Sequence, residues 1–280
     1  MPTRKLRDSR TESLAQPAET TPSTGSGSSE DQAWGGLRPV GVPARLRYAV
    51  LVGGRGLLQA VSLALVWYSA LVSFGFLLSG QVARMLGDED GLVRALEENR
   101  TPGWDYVTHI ASDTADTRII VISATLIGLA LRWLTGRWLE PLVLWSAVIL
   151  QAGVFLFTTL VVSRPRPGVD HLDPAPPTSS FPSGHTGAST ALYLGLGLVL
   201  ASHVRRPMLR ATIFLAVLAI PLSVAATRLY RGMHHPSDVA FGLLNGFVAV
   251  LIARYAVSHA MPRRRSVVPM AVRLGGKTGD

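Results

Sequence analysis

The chain contains no cysteine, which excludes disulfides and thiolate metal sites. It is almost without lysine: Lys5 and Lys277 stand near the two ends, and every other basic residue is arginine. Charge of either sign is scarce. Only 16% of the 280 residues are charged, where soluble domains carry about 25%. Hydrophobic residues make up 48%, and mean hydropathy is +0.30. This deficit points to lipid as much of the solvent. The chain start has no apolar signal-peptide core, so no cleavage is expected. No internal repeat is visible, and no carboxylate cluster suggests a bound metal.

What charge there is sums to +9. A basic balance suits nucleic acid or an anionic membrane surface. Here the basic residues lie beside apolar segments, as in Arg205-Arg206 and Arg263-Arg264-Arg265, with no aromatic residues interleaved. The charge therefore reads as membrane topology, and no nucleic-acid partner is expected.

Residues 1–44 are polar and rich in Ser, Thr, Gly and Pro, and are expected to form a disordered cytoplasmic tail. Apolar stretches follow near 56–79, 118–135, 141–162, 185–203, 209–227 and 238–257, each close to the roughly 20 residues that span a bilayer. The expected fold is an all-α, six-span transmembrane helical bundle over 45–258, followed by a basic cytoplasmic tail, 259–280. Pro221 interrupts the fifth span, a feature membrane helices tolerate. Arg38 to Arg55, Arg132 with Arg137, Arg205 to Arg210 and Arg254 to Arg265 flank alternate ends of the spans. That bias predicts a multi-pass plasma-membrane protein with both termini cytoplasmic. The long loop after the first span is acidic, belongs outside, and carries Leu92, Val93 and Leu96 on a short interfacial helix.

This topology brings three motifs to one extracytoplasmic face. The first is Arg164-Pro165-Arg166-Pro167, the second Pro182-Ser183-Gly184-His185. The third is Thr227-Arg228, five residues, His234, three residues, Asp238. Pro182 suits the first position of a helix. Ser183 and Gly184 would then offer free N–H groups at a positive helix end, which attracts an anion. His185, on the first turn, can give a proton to a leaving oxygen. Asp238, four residues after His234, can orient that imidazole and leave its other nitrogen nucleophilic. Arg228 offers a bidentate donor to phosphate oxygens. Each motif alone has a plainer reading: a Pro-initiated helix with an interfacial histidine, an aspartate cap beside a snorkelling arginine, a basic membrane boundary. Together, in this order and on one face, they suit removal of a phosphoryl group from a lipid.

The combination resembles the type 2 phosphatidic acid phosphatase and vanadium haloperoxidase superfamily, whose pattern is Lys-x6-Arg-Pro, Pro-Ser-Gly-His, then Ser-Arg-x5-His-x3-Asp. The resemblance covers about residues 105–257. It implies that Arg166, Ser183, Gly184 and Arg228 cradle phosphate. It also implies that His234 forms a phosphohistidine oriented by Asp238, and that His185 is the general acid. It implies no metal and no cofactor, with a lipid phosphate as substrate and membrane lipids as surroundings. Two positions depart from the pattern. Thr227 replaces Ser, and Thr159 stands where the family has Lys. Arg164 or Arg231 is expected to supply the missing cation, with Arg231 favoured because it lies three residues from His234. Rival readings are a haloperoxidase, a lipid phosphotransferase, a transporter and a catalytically weak lipid-phosphate binder. His235 reads as a rim residue, His109 and His171 as solvated loop histidines, and Gly242-x3-Gly246 as a helix-packing motif.

Overall fold

The computed structural model describes residues 44–80 and 89–260, with the side chains of 44–53 excepted. Most of the expected N-terminal tail, and the C-terminal tail beyond Ala260, lie outside the described residues. Eight helices and no strand occur among the described residues. They are α1 (Ala44–Ser79), α2 (Glu89–Glu98), α3 (Pro102–Asp113), α4 (Thr117–Thr135), α5 (Leu139–Val161), α6 (Gly184–His203), α7 (Pro207–Tyr230) and α8 (Pro236–Ala260).

Five of the six expected spans are long and apolar enough to cross a membrane: Gly54–Ser79 within α1, then α4, α5, α7 and α8. The sixth, α6, has the length but a more polar sequence, GHTGASTALYLGLGLVLASH. The reason lies in its position. It packs on α5, α7 and α8, and eleven of its 20 residues are buried. A helix surrounded by protein has no need of an apolar lipid face. The outer helices do have one: Val66, Ile149 and Leu215 are each about 70% exposed. Apolar side chains turned outward in this way match a lipid surround.

Lipid supplies little hydrophobic drive between helices, so small residues and close packing hold such bundles together. Gly242 and Gly246 on α8 do this against α6. A Cβ on Gly242 would stand 2.6 Å from the Ser183 carbonyl oxygen, and one on Gly246 would stand 2.5 Å from that of Gly187. The expected packing role of Gly242-x3-Gly246 is what the structure gives. One apolar cluster joins α4, α5, α6 and α8 around Ile120, Leu144, Leu192 and Val250. A second joins α1 to α5 and the following loop through Leu71, Val154, Val162 and Phe181. Between them Trp67 Nε1 donates to Asn245 Oδ1 at 2.9 Å, tying α1 to α8.

The helix ends follow local chemistry. Gly136 takes the left-handed conformation (φ 66°) after α4, and its N–H closes the helix on the Arg132 carbonyl. A short helix was expected at Leu92, Val93 and Leu96, there as an interfacial one; it is α2, with Val93 fully buried against the protein and Leu92 exposed. Helix α3 was not anticipated. Its start carries the proper signals, Thr101 as N-cap and Pro102 at the first position.

Candidate active site

Three chain segments meet at one end of the bundle: the stretch leaving α5, the turn entering α6, and the turn between α7 and α8. They are stitched by main-chain bonds. Ser180 N donates to the Arg164 carbonyl at 2.9 Å, and Ser183 N to the Asp238 carbonyl at 2.9 Å. His234 Nδ1 lies 2.8 Å from the Ser180 carbonyl oxygen. All three sequence motifs are thus brought together, as the topology read from hydropathy and charge predicted.

A cavity of about 470 Å³ opens beside them. Arg166, Gly184, His185, Arg228 and His234 all line it. Its other walls are apolar side chains of α4 and α5, including Ile120, Val148 and Phe155, and a rim of Asp113, Asp116 and Asp173.

His234 is buried, and a carbonyl oxygen can only accept a hydrogen bond. The Nδ1–H must therefore be the donor to Ser180, which leaves Nε2 as the bare ring nitrogen. Burial pushes the His234 pKa below its ordinary value, and Arg228 and Arg166 push the same way; nearby Asp238 opposes this without reversing it. Asp238 was expected to be the orienting partner, but its Oδ2 is 3.8 Å from His234 Nδ1. Its oxygens are taken elsewhere. Oδ2 accepts from the His235 backbone N–H at 2.9 Å and faces His235 Nδ1 at 3.1 Å. Oδ1 accepts from Arg164 Nη1. The Ser180 carbonyl thus does the task assigned to Asp238, while Asp238 secures the turn itself.

The second motif also differs in detail. Helix α6 starts at Gly184 with Ser183 as N-cap, so Pro182 precedes the cap instead of opening the helix; the Phe181–Pro182 bond is cis. Ser183 is fully buried, and its N–H is committed to Asp238. Its Oγ pairs with Thr186 Oγ1 at 2.8 Å. Of the two N–H groups expected to be free, that of Ser183 is not. At Gly184 a Cβ would stand 2.8 Å from the Phe155 ring, so glycine admits this aromatic wall as well as any ligand.

Arg166 gives Nη1 to the Met233 carbonyl at 2.7 Å, and its Nε has no acceptor. Arg228 Nη1 donates to Ser112 Oγ on α3 and to Asp173 Oδ2, each at 2.7 Å, and its Nε is likewise unpartnered. Both residues line the cavity, so an anion there would meet two guanidinium groups. Asp173 is the larger surprise, since no sequence signal marked it. It faces Arg228 and Arg231 together. Burial alone would raise its pKa, but the Arg231 hydrogen bond and the charges of both arginines outweigh that and hold it below the usual carboxylate value.

The substitute cation expected at Arg231 is not there. Arg231 spends its donors on Asp173, the Leu172 and Asp105 carbonyls and Thr108, and it does not line the cavity. Arg164 is similarly bound to Asp238, Ser237 and Glu89. His235 is buried against Asp238 and Asp90 instead of lying on the rim. His109 lies on α3 and lines the cavity, 3.6 Å from Asp113. His171 is an exposed loop residue, as expected.

A search of curated proteins finds no significant match. Among solved structures, the fold is similar to a transmembrane PAP2-type phosphatidylglycerolphosphate phosphatase from Bacillus subtilis. The TM-score is 0.56 at 19% identity, over 71% of this chain and 94% of that one. LpxE of Aquifex aeolicus aligns with a TM-score of 0.48 at 21% identity, over 58% of this chain and 92% of that one. The family model of the PAP2 superfamily matches residues 140–262, which takes in α5 to α8 and all three motifs. By its spans the chain is a multi-pass membrane protein, and its similarity to the PAP2 superfamily extends over the segment that carries all three motifs.

Proposed function

We propose that this protein is a phosphatase that hydrolyses a lipid mono- or diphosphate at the extracytoplasmic face through a phosphohistidine. The observation that carries the reading is His234. It is held through Nδ1 with Nε2 bare, in a cavity that also holds His185, Arg166 and Arg228. In the first step His234 Nε2 attacks phosphorus and the bond to the lipid oxygen breaks. The leaving oxygen takes a proton from His185. In the second step water attacks the phosphohistidine, His185 accepts the water proton, and the N–P bond breaks to release phosphate. Arg166 and Arg228, with the Gly184 N–H at the start of α6, stabilise the charge gathered on the equatorial oxygens. The apolar residues of α4 and α5 suit the lipid part of the substrate, and the rim carries its polar head. The arginines flanking the spans support cytoplasmic termini and hence an outward-facing cavity.

The test is phosphate release from a panel of lipid phosphates by the purified protein with a chelator present. His234→Ala should abolish release and the acid-labile phosphoenzyme together. A phosphoenzyme that persists in this variant would refute the assignment.

A further inference from the structure

We propose that Arg164 is a positioning residue for His234, fixing both groups that hold the candidate nucleophile. The inference rests on the phosphatase reading and adds a residue that the family pattern does not include. Arg164 is buried and absent from the cavity wall, so its guanidinium has no route to a phosphate. Its donors face another way. Nη1 reaches Asp238 Oδ1 at 2.5 Å and Ser237 Oγ at 2.7 Å, and Nη2 reaches Glu89 Oε2 at 2.6 Å. Glu89 in turn accepts from the Ser237 N–H and hydroxyl, each at 3.0 Å, so the start of α8 is clamped to the start of α2. The backbone of the same residue holds the other support. The Arg164 N–H donates to Ser179 Oγ at 3.2 Å, and its carbonyl accepts from Ser180 N at 2.9 Å. Ser180 then presents its own carbonyl to His234 Nδ1.

One residue therefore sets the acceptor that aims the ring and the carboxylate that fixes the turn carrying it. Asp238 is fully buried, and a buried carboxylate needs a fixed cation beside it. Arg164 is that cation. Without it, Asp238 either takes up a proton or swings toward His234 at 3.8 Å, competing with Ser180 for Nδ1–H and turning the ring off line. In-line attack tolerates little misplacement. Lysine is no equivalent, because one ammonium cannot bridge Asp238, Ser237 and Glu89 as the planar fork does.

The test uses the full chain in detergent with a short-chain phosphatidate, reading kcat, KM, vanadate inhibition and thermal unfolding. Arg164→Ala should lower kcat about a hundredfold while KM and vanadate inhibition stay within about threefold. Added guanidinium should restore part of that rate, and Arg164→Lys should restore little. Arg166→Ala, the contrast, should raise KM and weaken vanadate inhibition. If Arg164→Ala does not fold, Glu89→Gln carries the test, and a fall in kcat at unchanged KM is the supporting result. Vanadate inhibition that weakens in step with kcat/KM in the Arg164 variants would overturn the inference, as would a wild-type kcat. An inactive wild type, or a fully active His234→Ala, would overturn the phosphatase reading as well. Indifference to Arg164 in an active enzyme would overturn this inference alone.

Discussion

Replacing Thr159 with lysine should tighten the hold of the cavity on phosphate. Val148, Ala152 and Phe155 line the cavity from α5. Their spacing of four and three residues continues with four more to Thr159, which places it on the same face of the helix. At 1.5 Å per residue it stands about 6 Å beyond Phe155, within reach of a lysine side chain. Thr159 is half-buried, and its hydroxyl is spent on the Leu156 carbonyl. The two arginines of the cavity, Arg166 and Arg228, face a rim of three aspartates, and neither Arg164 nor Arg231 adds to them. A charge-assisted hydrogen bond contributes about 1.5–3 kcal/mol. Ordering the lysine side chain takes back up to about 1.5–2 kcal/mol. The remainder is at most about 1.5 kcal/mol, a gain of up to about tenfold, since 1.4 kcal/mol is roughly one decade. The assay is vanadate inhibition and kcat/KM on a short-chain lipid phosphate, with Arg231→Ala beside it. Thr159→Lys should improve both, whereas Arg231→Ala should lower the unfolding temperature by releasing Asp173. Unchanged vanadate inhibition in Thr159→Lys would refute the reasoning.

Other outcomes follow from the same geometry. His185→Ala should slow release from an alkyl phosphate far more than from nitrophenyl phosphate, because a good leaving group needs no proton; equal losses on both would remove His185 as general acid. Asp173 has a depressed pKa, so its contribution to stability is full above the unfolded value of about 4 and is lost as pH falls through the lower folded value. Unfolding of wild type and Asp173→Asn should therefore differ at neutral pH and converge in acid, and a gap that persists at low pH would contradict the ion-pair account. Ala175 and Ser202 are exposed near opposite ends of the bundle, and the native chain has no competing thiol. Ala175→Cys should react with an impermeant maleimide on intact cells and Ser202→Cys should not; the reverse pattern would invert the topology.

The spans and the second and third motifs were legible because their signals are local. A run of apolar residues, a proline near a helix start and a fixed step from His234 to Asp238 all survive without knowledge of the fold. What escaped depends on distant approach. Ser112 and Asp173 reach Arg228 from α3 and the 162–183 loop, and no spacing announces that. Asp238 was paired with its sequence neighbour His234, but Arg164, 74 residues away, holds its Oδ1. Arg231 looked useful because it is close to His234 in sequence. The turn points it to Asp173 instead, so adjacency along the chain did not mean a shared direction.

The glycines that let α8 touch the backbone of α6 have a consequence for how this protein can diversify. One side of the cavity is built on that contact: Gly184 and His185 start α6, and His234 lies two residues before the start of α8. Because Gly242 meets a main-chain oxygen, even one added methyl group there must move a helix, not merely a side chain. The reacting groups therefore sit on a wall with almost no freedom to vary. The opposite wall, from α3, α4 and the 162–183 loop, also carries Ser112, Arg166 and Asp173, but between them it offers side chains without a part in the chemistry. A change of lipid preference is to be sought there, by altering residues such as His109, Val121 or Pro176 while leaving the chemistry in place.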